Sequence, residues 1–238
     1  MIREKVRSGI EGLDELIEGG FPKGRTVLVA GETGTGKTTF SIQYLYNGAV
    51  RYGENGVFVT IDERPEFIVE DAASIGWDLE ALIDENKLLM VEITPLFSTV
   101  KGIDAKKIVE NIAMYIKEVN ATRLVLDPVA PLITPGEEPI DPLSMQAYVR
   151  NYLRKLFFSL TELGVTTVAT SEIPTGSSKL SRYGIEEFLA SGIIVLRLRR
   201  DEGRFHREIY IRKMRGVNHS MDVYSFIIEH GRGIVISI

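Results

Sequence analysis

One short glycine-rich segment carries the residues with the clearest chemical purpose in this chain. Residues 31–38 read Gly-Glu-Thr-Gly-Thr-Gly-Lys-Thr, which matches the phosphate-binding pattern of a glycine, four residues of any type and Gly-Lys-Thr. Glycine permits backbone conformations that let successive N–H groups converge on one phosphate. Lys37 can place a positive charge near the β- and γ-phosphates, and the Thr38 hydroxyl can bind Mg²⁺. The segment therefore predicts a site for a nucleoside triphosphate with Mg²⁺.

Both flanks of this loop fit the same chemistry. Residues 25–30 form a β-branched, apolar run that is typical of a buried strand, and residues 38–50 read as a helix with one apolar face. This order directs the N–H groups of the loop and the positive end of the helix dipole at a phosphate. A glycine-rich turn that matched the pattern by chance would lack these flanks.

Three acidic residues are predicted to follow strands near the same place. Asp62 and Glu63 come directly after the strand candidate at residues 57–61, and Asp127 ends the run at residues 123–127. Open α/β sheets bind ligands at the carboxyl ends of their strands. We therefore predict that Asp127 binds Mg²⁺, directly or through water. Glu63 is predicted to orient an attacking water and accept its proton, with Asp62 as a neighbour or helper.

The remaining pattern alternates strands with helices and then changes to strands alone. Further strands are predicted at residues 87–93 and 165–170, and further helices from Pro65, at 104–119 and at 143–163. Loops are predicted at residues 95–103, 128–142 and 172–183. The last four strand-like runs are residues 192–200, 204–215, 223–229 and 233–238. The pattern predicts an α/β fold with a mostly parallel central sheet, extended by antiparallel C-terminal strands.

Thr170 and Ser171 end the fifth predicted strand. Their hydroxyls could sense a γ-phosphate, and they could equally cap the end of the strand. The residues alone leave both interpretations open.

A cluster of basic residues marks the first two C-terminal strands. It comprises Arg197, Arg199, Arg200, Arg204, Arg207, Arg212, Lys213 and Arg215. Such a run is usually a solvated sheet face. It also fits a set of cations that meets the phosphates of a nucleotide on a neighbouring subunit. A third interpretation is a path for single-stranded DNA, although only Phe205 and Tyr210 supply aromatic rings for stacking.

The composition bounds these hypotheses. The chain has 238 residues, of which 44% are hydrophobic and 26% charged, as is usual for one globular domain. A formal charge of −5 argues against a protein that coats nucleic acid by bulk attraction. There is no cysteine, no apolar run of membrane-spanning length and no apolar segment of the signal-peptide kind at the start. We expect a cytoplasmic protein.

Several further segments form a known combination with the glycine loop. They are residues 8–24, 40–48, 56–60, 76–79, 182–188 and 213–216, together with His219. In combination they resemble the KaiC family of ATPases, within the RecA/RadA-like P-loop superfamily. The resemblance covers nearly the whole chain and implies a single RecA-like domain over residues 1–238.

The resemblance also implies ligands, assembly and residue roles. It implies ATP and Mg²⁺ as ligands, and a hexameric ring with ATP between subunits. The residues implied to hold the phosphates and Mg²⁺ are Gly31, Thr33, Gly34, Thr35, Gly36, Lys37, Thr38 and Thr39. Asp127 takes the place of the Walker B aspartate, while Asp62 and Glu63 form the catalytic acid pair beside Lys37. Lys213, Arg215 and His219 are implied to reach the neighbouring subunit's nucleotide.

The chain departs from the clock protein of this family in ways that shape the expected function. Asp62 stands where that protein has glutamate, so Glu63 is the expected base. Glu186-Glu187 resemble its non-phosphorylated first domain, which argues against autophosphorylation. We expect a slow Mg²⁺-dependent ATPase. The alternatives are a RadA-like paralogue that binds DNA and modulates recombination, and an ATP-gated signalling module with an unknown protein partner.

Overall fold

A computed structural model describes residues 4–93, 105–133 and 141–238. Its strands are β1 Lys5–Val6, β2 Phe21–Pro22, β3 Thr26–Gly31, β4 Gly56–Thr60, β5 Leu88–Glu92, β6 Arg123–Asp127, β7 Thr166–Glu172, β8 Gly192–Asp201, β9 Arg204–Met214, β10 Tyr224–Glu229 and β11 Gly233–Ile236. Its α-helices are α1 Leu13–Leu16, α2 Lys37–Tyr52, α3 Pro65–Ser74, α4 Leu79–Asp84, α5 Ala105–Glu118, α6 Pro142–Glu162 and α7 Glu186–Leu189. A 3₁₀ turn follows β6 at Ala130–Leu132. Within these residues, none of the helices has the length and apolar character needed to span a bilayer.

The central sheet has nine strands in the order β11-β10-β9-β8-β3-β7-β6-β4-β5. The six strands from β8 to β5 are mutually parallel. The pairs β8–β9, β9–β10 and β10–β11 are antiparallel. The predicted α/β architecture, with a mostly parallel sheet and an antiparallel C-terminal extension, is confirmed.

The parallel strands read as continuous apolar runs because both faces of the sheet are buried. Along β3, Val27 and Val29 pack in one core, while Leu28 and Ala30 pack in the other. The first core contains residues of α2, α3 and α4, and the second contains residues of α5 and α6. This two-sided burial leaves the ends of the strands as the place where polar side chains can meet.

Most predicted elements are confirmed, and two differences concern β7 and α7. The strand predicted at 165–170 continues to Glu172, which therefore does not belong to the loop predicted at 172–183. Sequence periodicity also missed α7, because a helix of four residues is too short to show a repeat. The loop predicted at 95–103, the predicted helix start at Asp104 and residues 134–140 of the predicted loop at 128–142 lie outside the described residues.

A buried arginine joins the P-loop helix to the sheet. The Arg123 side chain is fully buried, and its guanidinium lies 4.5 Å from the centre of the Tyr44 ring. Its Nη1 donates to the Tyr44 carbonyl at 2.8 Å, its Nη2 to the Arg7 carbonyl at 2.8 Å and its Nε to Glu54 Oε2 at 2.6 Å. Gly48 of α2 lies against this side chain and leaves space for it.

We expect Gly48→Ala to destabilise the protein, although alanine is the better helix former by about 1 kcal/mol. The added Cβ would lie 2.5 Å from Arg123 Cδ and Nε, which the surrounding hydrogen bonds hold in place. Overpacking typically costs about 1–3 kcal/mol, so denaturant titration should show a net loss of roughly 1–2 kcal/mol in the free energy of unfolding. In an Arg123→Ala background, which lacks both of these atoms, the same change should be neutral or stabilising. An equal loss in that background would show that the clash is not the cause.

Candidate nucleotide-binding site

The glycine loop connects the end of β3 to the start of α2, as the sequence predicts. Gly34 and Gly36 have φ values of 80° and 103°, in the region that favours glycine. Inside the loop, Thr35 is fully buried and its hydroxyl donates to the Glu32 carbonyl at 2.8 Å. The loop is thus fixed by its own hydrogen bonds at the N-terminal end of a sixteen-residue helix. A phosphate placed there would meet N–H groups and the positive end of the helix dipole.

Lys37 lies over this loop and points back along it. Its Nζ donates to the carbonyls of Gly31 at 3.0 Å and Glu32 at 2.9 Å. Burial lowers the pKa of Lys37, while the carboxylates of Asp127 and Glu172 act in the opposite direction. A phosphate would supply a closer counter-charge for this partly buried ammonium group.

Asp127 lies buried at the end of β6. Its carboxylate accepts a hydrogen bond from the Thr170 hydroxyl, and the Thr38 hydroxyl lies close enough to lower its pKa. Burial raises the pKa of Asp127, against the lowering effects of these hydroxyls and of Lys37. The structure thus places the predicted metal ligands Thr38 and Asp127 near each other. The Thr170 hydroxyl, for which the sequence left two roles open, donates to the Asp127 carboxylate.

The two predicted catalytic acids follow β4 and share this edge of the sheet. Thr60 pairs with Asp127 across the strands, and its hydroxyl donates to the Glu63 carbonyl at 2.7 Å. Burial and then the charge of Glu172 raise the pKa of Asp62. Burial, then the charges of Asp71 and Asp127, raise the pKa of Glu63. Both acids therefore lie within electrostatic reach of the residues around the loop.

Glu172 is a site residue that sequence reasoning missed. It ends β7, opposite Gly31 of β3, and its Oε1 accepts a hydrogen bond from the Thr33 hydroxyl at 2.9 Å. The signal was the one used for Asp127, an acid at the end of a buried strand. It was overlooked because the polar residues after 170 suggested that the strand had already ended.

The oxygen atoms at this edge suit Mg²⁺ bound together with a phosphate. Within the parts of the chain that the structure describes, no three His, Cys, Asp or Glu side chains cluster as a metal site. Mg²⁺ is commonly held by only one or two carboxylates, with waters and substrate phosphates completing its shell. The Thr38 hydroxyl and the nearby Asp127 carboxylate supply such a partial set.

Lys213 and Arg215 lie away from the P-loop of their own chain. Gly31 pairs with Leu196, whereas Met214, between the two cations, pairs with Gly192 at the level of Val27. Four residues of strand separate these levels, or about 13 Å along the sheet.

Both cations contact α7 instead. Lys213 Nζ donates to the Glu187 carbonyl at 2.5 Å, and Arg215 Nη2 to the Phe188 carbonyl at 2.8 Å. His219 lies further along the chain, where its Nδ1 is 2.9 Å from the Ser220 carbonyl oxygen. The Ser220 N–H in turn donates to the Leu16 carbonyl at 3.0 Å. The structure therefore joins two of the three predicted cross-subunit residues and places His219 near α1.

The comparisons with known proteins agree with this geometry. A sequence model of the family described as "ATPase: KaiC" matches residues 6–238. This chain belongs to the KaiC family of ATPases.

Individual KaiC proteins show the extent of the similarity. The circadian clock oscillator protein KaiC of Synechococcus elongatus is 39% identical over 234 residues, covering 97% of this chain and 44% of that protein. KaiC of Thermostichus vulcanus is 38% identical, with the same coverage. The chain thus spans less than half the length of these relatives. The crystal structure of the KaiC-like protein PH0186 from Pyrococcus horikoshii OT3 superposes with a TM-score of 0.85 at 44% identity, covering 99% of this chain and 100% of that one.

The other basic residues of this KaiC-family chain occupy the β8–β9 hairpin. Arg197 lies over the Tyr210 ring, 4.7 Å from its centre, and Arg199 is 3.4 Å from the Glu208 carboxylate. Arg199 and the three basic residues nearest the turn are exposed, namely Arg200, Arg204 and His206. These contacts agree with a solvated sheet face, the first of the three interpretations.

The charge of Lys213 predicts a pH dependence. Burial, assisted by Arg215 and opposed by Glu187, lowers the pKa of Lys213 to about 8. The side chain is thus charged below that pH and neutral above it. If this charge attracts phosphate, kcat/KM for ATP, which reports the free enzyme, should fall as pH rises through about 8. Lys213→Arg should remove this fall, because arginine keeps its charge. The same fall in that variant would assign it to another group.

Proposed function

We propose that this chain is a single-domain ATPase that binds ATP with Mg²⁺ and hydrolyses it slowly as a ring of identical subunits. The observation that carries the proposal is the meeting of Lys37, Thr38, Asp127 and the Asp62–Glu63 pair at one edge of the sheet. We assign this edge to ATP and place each ATP between two subunits.

In this proposal the loop and α2 hold the phosphates. Residues 31–39 surround the β- and γ-phosphates with N–H groups, and the Lys37 ammonium turns from the Gly31 and Glu32 carbonyls to the phosphate oxygens. Thr38 and Asp127 hold Mg²⁺, which neutralises phosphate charge when it is bound. Before ATP binds, the hydrogen bonds to the Gly31 and Glu32 carbonyls lower the free-energy cost of keeping Lys37 charged.

Glu63 serves as the general base and Asp62 assists it. Glu63 is exposed and lies beside the carboxyl ends of β4 and β6, where a water attacking the γ-phosphorus would stand. Its raised pKa makes its carboxylate a better proton acceptor than an ordinary glutamate. The acid thus orients the water and accepts its proton.

The remaining charge is supplied from the next subunit. Lys213 and Arg215 lie about 13 Å along the sheet from their own loop and are held on α7, so they suit a nucleotide on another molecule. In related phosphoryl-transfer systems a supplied arginine is worth roughly 10³–10⁵-fold in rate. An isolated subunit lacks this contribution, so its turnover should be slow.

Glu63→Gln should keep ATP affinity and lose hydrolysis, because the amide can hold a water but cannot accept its proton. The expected loss in kcat is about 10²–10⁴-fold, with ATP affinity measured separately by calorimetry. Asp62→Asn is the matched control and should reduce kcat far less. Full turnover by Glu63→Gln would move the role of base to another residue.

Mixing two inactive variants tests the shared site. Lys37→Ala should not bind ATP productively, and Arg215→Ala should not stabilise the transition state, so each should be inactive alone. In a random equal mixture, about a quarter of head-to-tail interfaces pair an intact loop with an intact arginine. The rate of phosphate release should therefore recover to about a quarter of that of the unmodified protein. No recovery, in rings that native mass spectrometry shows to be mixed, would contradict a nucleotide shared between subunits.

A further inference from the structure

Glu186, the first residue of α7, has a fully buried carboxylate. Its Oε1 accepts a hydrogen bond from the Ser171 hydroxyl at 3.2 Å, and its Oε2 lies 2.7 Å from the Ser181 hydroxyl, which also contacts the Glu187 carboxylate. Backbone N–H groups of Tyr183 and Ile185 also donate to it, at 3.3 and 3.1 Å. The Glu186 side chain thus connects the end of β7 and the segment before α7 to the first turn of α7.

On the β7 side, this network reaches the edge of the sheet at which we propose that ATP binds. Ser171 stands between Thr170, which donates to Asp127, and Glu172, which accepts from Thr33 of the loop. The Ser171 hydroxyl also accepts the Arg182 N–H at 3.0 Å. The carboxylate of Glu186 is therefore anchored to the end of β7, next to the residue that donates to the candidate metal ligand Asp127.

On the α7 side, the network leads to Lys213 and Arg215. The next two carbonyls after Glu186, those of Glu187 and Phe188, accept the hydrogen bonds of Lys213 and Arg215. The Arg215 N–H also donates to the Ser191 carbonyl at 2.8 Å, just after α7. Because α7 is a single turn with no side-chain cap, its orientation depends on what holds its first residue.

We propose that Glu186 is a positioning residue for the two cations. It fixes α7 against β7 so that the Glu187 and Phe188 carbonyls hold Lys213 and Arg215 in the orientation they present to the neighbouring subunit's nucleotide. This assignment rests on the proposed function, in which those cations act across the interface.

The role needs a carboxylate, because each of its oxygens faces a backbone N–H as well as a hydroxyl. A hydroxyl can rotate and accept, whereas the N–H groups of Tyr183 and Ile185 can only donate. Glu186→Gln would turn an NH₂ group toward one of these donors and displace α7. Misplacement of a catalytic group by about 1 Å can cost on the order of 10²-fold in rate. We therefore expect kcat to fall roughly 10–100-fold while KM for ATP stays within about threefold, since the cations act mainly in the transition state.

The decisive experiment places Glu186→Gln on one side of the interface at a time. In the mixture described above, the Lys37→Ala subunit supplies the cations and the Arg215→Ala subunit supplies the loop. Glu186→Gln on the cation-supplying subunit should lower the recovered phosphate release roughly 10–100-fold. The same change on the loop-supplying subunit should leave most of it.

Two further variants separate positioning from stability. Asp14→Asn alters another buried carboxylate, which accepts the Ser8 N–H at 2.9 Å far along the chain from α7. It should lower the melting temperature without changing the recovered activity at a temperature where the rings stay folded. If Glu186→Gln does not fold, Ser181→Ala removes a hydroxyl that contacts the carboxylates of both Glu186 and Glu187 at the start of α7, and it should show the same dependence on side, with a smaller loss.

The outcomes distinguish the two proposals. Equal loss from either side, or no loss from either, would overturn the positioning role while leaving the shared site intact. If the parent mixture without any change at Glu186 fails to recover, the cross-subunit site is wrong, and the role of Glu186 falls with it.

Discussion

The parallel pairing of β3 with β7 on one side and β8 on the other is the interaction on which the rest of the structure depends. It brings the glycine loop level with the end of β7, so that Gly31 faces Glu172 across the strands. Pairing of β7 with β6, and of β6 with β4, extends the same edge to Asp127 and the Asp62–Glu63 pair. Because both faces of these strands are buried, the edge is where charged groups can gather without entering the core.

The charges at this edge are arranged for a ligand that is itself highly charged. Burial lowers the pKa of Lys37 and raises those of Asp62, Glu63 and Asp127. Each shift marks a group whose charged form is less well solvated than in water. Phosphate oxygens would compensate the lysine, and a divalent cation would compensate the acids. Part of the free energy of ligand binding can therefore come from supplying opposite charges to groups that burial in the folded protein has desolvated.

Much of the fold and of the candidate site could be predicted from the sequence, because those features are local. Buried strands, the glycine loop and acids that follow strands leave a signal within a few residues, and β6 has the predicted bounds at both ends. The partners of Lys213 and Arg215 could not be predicted, since they are backbone carbonyls of a four-residue helix. Glu172 and Arg123 were missed for a related reason. Their roles depend on which strands become neighbours, and a single chain's pattern does not specify that order.

The last residues of β7 have a consequence for how this protein can vary. Side chains alternate along a strand, so Thr170 and Glu172 turn to the loop and Asp127, while Ser171 turns to Glu186. A slip of one residue would exchange these directions and break all three contacts together. An insertion or deletion within β7 is therefore far more harmful than a substitution there. Length changes in homologous chains should accumulate after this strand and leave its span unchanged.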